Sequence, residues 1–123
     1  MAVHYEFKPH DPDITIATLT GQLNLGNRVA DFEHTLKERI HEGVRKVILD
    51  LTGLTYIDSA GLGMIAACAG IIFKAGGKLV VVSPAGRITQ MFEITRLNRV
   101  IDIFPDFDAA VASFIQPAEA SSD

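Results

Sequence analysis

Two short runs, KVILDL at residues 46–51 and KLVVVS at residues 78–83, consist almost wholly of aliphatic residues, several of them β-branched. A strand with one wet face alternates apolar and polar side chains, whereas an unbroken apolar strand needs cover on both faces. Between the runs lies MIAACAGIIFKAGG, residues 64–77, long enough for a helix and closed by two glycines. Strand, helix, strand, with both strands covered, is the pattern of a βαβ unit in a parallel sheet. Few other architectures accommodate it.

The flanking segments extend this unit. Val3, Tyr5 and Phe7 alternate with polar neighbours, and ITIATLTGQL at residues 14–23 is β-rich, so the two read as an antiparallel pair with a turn around His10 to Asp13. Gly21 marks a bend or bulge in the second of them. Over residues 27–41 the period changes: Val29, Phe32, Leu36 and Ile40 form one helical stripe, with Asn27 as N-cap and Gly43 as stop. Pro84 stands near the start of a third helix through Thr95, with Ile88, Met91, Phe92 and Thr95 at helical spacing. Residues 100–104 suggest a short strand and residues 106–114 a short helix. The predicted order is ββαβαβαβα: one α/β domain over residues 1–116, with a mixed sheet of about four to five strands and about four helices. A polar tail covers residues 117–123.

Composition excludes several function classes. With 48% hydrophobic and 21% charged residues the chain has the balance of a soluble globular protein. A formal charge of −4 argues against nucleic acid, which needs clustered cations, and Arg87, Arg96 and Arg99 are too dispersed to form such a patch, so surface salt bridges are expected for them. The start MAVHYEFKPHD is charged throughout and unlike a secretory leader. The least charged run, residues 60–73, is too short to span a bilayer, so no membrane insertion is expected. The single cysteine, Cys68, leaves no internal disulfide and fits a reducing compartment, so the expected location is cytoplasmic.

The most informative stretch is residues 50–63. After the first buried strand a loop leads to Asp58-Ser59-Ala60-Gly61-Leu62-Gly63, which opens a helix. Ser59 occupies the place of an N-cap, and a structural cap is one complete reading of it. Gly61 and Gly63 weaken that turn by roughly 1 kcal/mol each relative to alanine, which suggests close approach of another backbone. A phosphoryl group on Ser59 would lie at the positive end of the helix and add about −1.5 to −2 charge beside Asp58. On a small, apolar surface that would switch off a binding face.

The unit VILDLTGLTYIDSAGLG, residues 47–63, resembles the signature of STAS domains, in particular of anti-sigma-factor antagonists. The resemblance runs over about residues 13–114 and includes TGQLN, AGGKLVVVSP and ITRLNRVIDIFPDFDAAV. It implies that an anti-sigma factor, itself an ATP-binding serine kinase, phosphorylates Ser59. The unphosphorylated antagonist binds that kinase and frees the sigma factor, and a PP2C-type phosphatase resets the switch. Carried over by position, the partner surface comprises Asp58, Ser59, Ala60, Gly61, Leu62 and Gly63, with Asn24 nearby and contact along the first two turns of the helix. Two departures stand out: Ala60 replaces a frequent second hydroxyl residue, and Gln22-Leu23-Asn24 replaces a frequent Glu-Leu-Asp. The resemblance also admits another role, that of a non-catalytic scaffold or regulatory subunit in a lipid-transport ATPase complex or a stress-sensing assembly.

Enzymatic chemistry finds no support in the residues. His34 and His41 share a helix face but lack further ligands at metal-binding spacing. Cys68 sits in an apolar helix with no adjacent base, which suits packing. Asp50 and Asp58 belong to a strand end and a loop, a poor arrangement for paired acid–base work. Gly76-Gly77 follows a helix, where a phosphate-binding loop would precede one. The expectation is a protein that is not an enzyme and carries no metal or cofactor.

Overall fold

The computed structural model describes residues 3–10, 12–24, 29–84 and 86–115. Strands β1 (His4–His10) and β2 (Ile14–Leu23) form the expected antiparallel hairpin, followed by helix α1 (Val29–His41) and strand β3 (Lys46–Asp50). Strand β4 (Leu54–Ile57), helix α2 (Ser59–Lys74) and strand β5 (Lys78–Val82) come next. Helix α3 (Arg87–Ile94), a single 3-10 turn (Leu97–Arg99), strand β6 (Ile103–Phe104) and helix α4 (Phe107–Ile115) complete the described residues.

Side-chain alternation explains the unbroken apolar runs. In β3, Val47 and Leu49 enter the main core while Ile48 enters a second one, and in β5 Leu79 and Val81 are likewise separated from Val80 and Val82. The main core takes Phe32, Leu36 and Ile40 from α1, Leu62, Ile65 and Ile72 from α2, and Phe92 from α3. The second lies under α4, which contributes Ala110 and Phe114. Helices therefore cover both faces, as the lack of alternation requires. The sheet runs β1-β2-β3-β5-β6, with every pair except β1–β2 parallel.

Among the described residues the sheet has six strands, one more than the upper expectation, because β4 lies in the segment read as a loop. Strand β2 is ten residues long, and β3 pairs only with its first half, Ile14 to Thr18. The chain leaves β3 through a turn in which Asp50 Oδ1 accepts hydrogen bonds from Thr52 N and Thr52 Oγ1 at 3.0 and 2.6 Å. It then returns as β4 to pair, also in parallel, with Gly21, Gln22 and Leu23. The register shift between Gly21 and Gln22 is the irregularity that Gly21 suggested.

Other boundaries shift. Helix α3 starts at Arg87, beyond Pro84, and Thr95 is its C-cap with an exposed side chain. Arg96 follows with φ 64°, a left-handed conformation that ends the helix and leads into the 3-10 turn. The strand expected over residues 100–104 shrinks accordingly to Ile103–Phe104, with Val100 on the surface. The Asn27 cap and the tail at residues 117–123 fall outside the described residues. Among the described residues no helix is long and apolar enough to cross a membrane.

Cys68 is buried in α2, its Sγ 3.7 Å from Met64 Sδ. Burial pushes the thiol from an ordinary 9.0 up to about 12, with Glu33 reinforcing and Lys37 opposing the shift. Because the folded value is raised, the native state keeps its proton while the unfolded chain loses one above pH 9. The contribution is therefore complete below about pH 9 and is lost as pH rises toward 12. Urea denaturation across that window should show wild-type stability falling more steeply than that of Cys68→Ala, by up to about 1.4 kcal/mol per pH unit. Parallel curves would mean that the thiolate is tolerated in the core.

Candidate functional site

Strand β4 ends beside the end of β2, where Asp58 N donates to Leu23 O at 3.1 Å. Asp58 is in an extended conformation (φ −108°, ψ −177°), and its Oδ1 accepts from Gly61 N at 2.9 Å. Asp58 is thus the N-cap of α2, and this corrects the reading of Ser59 as the cap. Both residue types can cap a helix, but the bond to Leu23 keeps Asp58 in the strand-like geometry that a cap requires. Ser59 becomes the first helical residue, and it is exposed. Among the described residues its hydroxyl makes no hydrogen bond.

The two glycines have different reasons. A Cβ on Gly61 would lie 2.9 Å from Leu23 O and 3.0 Å from both Leu23 Cγ and Ile57 Cγ1, so a second backbone does approach closely there. A Cβ on Gly63 would meet nothing within 4 Å, and that residue faces outward. The predicted partner-binding stretch accordingly divides. Gly61 and Leu62 are buried and hold α2 against β2 and the core, Ala60 is half-buried, and Ser59 and Gly63 are exposed. Asn24 is half-buried and leaves the sheet at the same end as Asp58, because Leu23 and Ile57 are paired. The outward row of α2 continues from Gly63 through Ala67 and Gly70, all exposed and all small.

Beside Ser59 lies a cleft of about 280 Å³ that the sequence reading did not identify. Tyr56, Ile57, Asp58 and Ser59 line one side, with Arg87, Ile88 and Met91 of α3 on the other. Ile88 and Met91 were legible as an apolar helix face, but not which element that face meets. The salt bridges expected for Arg87, Arg96 and Arg99 are absent among the described residues.

His34 and His41 line one open hollow on α1 together with Lys37, Glu38 and Glu42. His34 Nε2 lies 3.5 Å from Glu38 Oε2 on the exposed face of α1. No cluster of three potential metal ligands occurs among the described residues. The Asp50 carboxylate is engaged in its own turn and the Asp58 carboxylate in capping α2.

Two substitution pairs test this geometry. Asp58→Ala should lower unfolding stability by about 1 kcal/mol through loss of the cap, with Ser59→Ala within about 0.5 kcal/mol of wild type. Equal losses in urea titrations would return the cap to Ser59. Gly61→Ala should cost roughly 1–2 kcal/mol by overpacking against Leu23, while Gly63→Ala should add about 0.5–1 kcal/mol of helix propensity. The thermal midpoints of the two variants should therefore move in opposite directions.

A STAS domain family model matches residues 8–110. The Bordetella bronchiseptica protein named "putative anti-sigma factor antagonist BtrV" is 32% identical over 99 residues, covering 80% of this chain and 84% of that protein. An anti-sigma factor antagonist from Mycobacterium paratuberculosis superposes with a TM-score of 0.82 at 18% identity, over 91% of this chain and 93% of the other. The Bacillus cell fate determinant SpoIIAA in its phosphorylated form gives a TM-score of 0.70 at 15% identity, over 90% and 99% of the two chains.

Proposed function

This chain belongs to the STAS domain family, and on that premise we propose that it is an anti-sigma-factor antagonist switched by phosphorylation of Ser59. In this reading the unmodified protein binds an anti-sigma factor that is an ATP-dependent serine kinase, so that the sigma factor is released. Transfer of a phosphoryl group to Ser59 ends the association, and a PP2C-type phosphatase restores it. The kinase supplies nucleotide and catalysis, while this chain supplies an acceptor hydroxyl and works in the cytoplasm. Support comes from the family and from relatives named as anti-sigma factor antagonists.

The observation that carries the proposal is the division of labour between Asp58 and Ser59. Capping falls to Asp58, leaving an exposed hydroxyl at the first position of α2 with no structural bond among the described residues. A group placed there can be modified without dismantling the helix. The product would gain from the helix dipole and lose from the adjacent carboxylate, and its roughly −2 charge would face any partner docked on the small residues of α2. Partner contact at Asp58, Ala60, Gly63 and Asn24 fits this arrangement. Gly61 and Leu62 would act by holding the surface in place.

The test is mass spectrometry of the protein incubated with ATP and each candidate anti-sigma kinase from its genome, with Ser59→Ala alongside. The expected result is one phosphoryl group at Ser59, absent from the variant and accompanied by loss of the complex. Neither transfer to nor binding of the unmodified protein by any candidate would sink the antagonist reading.

A further inference from the structure

Among the described residues, a single cation lines the cleft beside Ser59. Arg87 is exposed, lines the wall opposite Ser59, and makes no ion pair among the described residues. Among the described residues, the other charged or titratable groups lining this cleft are Asp58 and Tyr56. Ser59 is the first residue of α2 and Arg87 the first residue of α3, so two helix starts border one small volume. Glycine at the cap of α3 provides no side-chain hydrogen bond, and no acidic residue occupies its first turn. Both helix dipoles therefore present their positive ends here, and α3 adds a full positive charge.

A phosphoryl dianion on Ser59 would meet repulsion from the Asp58 carboxylate. The planar guanidinium across the cleft is suited to opposing it, since two of its N–H groups can bond two phosphate oxygens at once. We propose, resting on the reading of Ser59 as a phosphoryl acceptor, that Arg87 is the counter-ion of phosphoserine 59, clasping it across the cleft and tying the start of α2 to the start of α3. The clasp draws the Arg87 side chain over the apolar floor formed by Ile57, Ile88 and Met91. Phosphorylation then alters the partner surface in two ways: it adds charge at α2, and it withdraws a cation and an apolar cleft at α3.

The experiment does not depend on a kinase. Phosphoserine is installed at position 59 during synthesis, and the phosphorus resonance is followed by NMR as pH is raised through the second ionisation, near pH 6 for a free phosphoserine. The phosphate of the wild-type background should ionise at a pH at least about half a unit below that of Arg87→Gln, because the guanidinium favours the dianion. Arg96→Gln removes the same charge from the far end of α3 and should titrate like wild type. Coincident curves for wild type and Arg87→Gln would overturn the clasp, as would an equal displacement in Arg96→Gln, which would reduce the effect to net charge. If kinases fail to modify Ser59, the antagonist reading falls while this titration still reports on Arg87. If kinases succeed and the curves coincide, only the clasp falls.

Discussion

The arrangement at Ser59 depends on the backbone of one residue, Leu23. Its carbonyl accepts the Asp58 N–H and stands 2.9 Å from where a Cβ on Gly61 would be, so the end of β2 fixes both the cap of α2 and the closeness of its first turn. Leu23 itself is fully buried in the main core, and its register partner is Ile57, also buried. Packing energy from the sheet is thereby transmitted to the helix start through one hydrogen bond and one steric contact. Glycine at position 61 is the local concession this requires, because helix propensity alone would favour alanine.

That anchoring reconciles two demands on α2. The helix must bury Leu62, Ile65, Cys68 and Ile72, and it also exposes a row of small residues from Ser59 through Gly63, Ala67 and Gly70. An amphipathic helix usually separates such faces by polarity. Over residues 59–70 the exposed positions are all small, whereas Phe73 in the last turn is exposed and Gly61 is buried, and the segment reads as apolar nearly all round. The small exposed residues leave a surface that another backbone can approach closely.

Much of the fold was legible because its strands obey strong local rules. The runs at β3 and β5 lack alternation since each faces two cores, and the stripe of α1 follows the helical period. Strand β4 was not legible: only Leu54 and Ile57 of its four residues are buried, and it exists because the last residues of β2 need a partner. That requirement is tertiary and leaves no period in LTYI. The Asp58–Ser59 pair failed differently. Two adjacent residues were both competent to cap, and the choice was made by Leu23, more than thirty positions earlier in the chain. Arg87 was visible as a charge but not as a neighbour of Ser59, because no spacing rule relates the start of one helix to the start of the next across an intervening strand.

The exchange of the frequent Glu-Leu-Asp for Gln22-Leu23-Asn24 acquires a physical meaning in this setting. Both positions lie at the end of β2, alongside the end of β4 and hence close in topology to the start of α2. Carboxylates there would add negative potential around Ser59, raising the cost of a phosphoryl dianion at short range. Neutral amides leave Asp58 as the one acid among the described residues lining the cleft, with Arg87 as the one described cation. A phosphoryl group on Ser59 would then add a large negative charge to a lining that holds one described charge of each sign. A site already rich in carboxylates would undergo a smaller relative change from the same chemistry. Under the proposed phosphorylation of Ser59, the substitution would strengthen the contrast between the two states of the surface, while the buried contacts of Leu23 would keep the helix start in place in both.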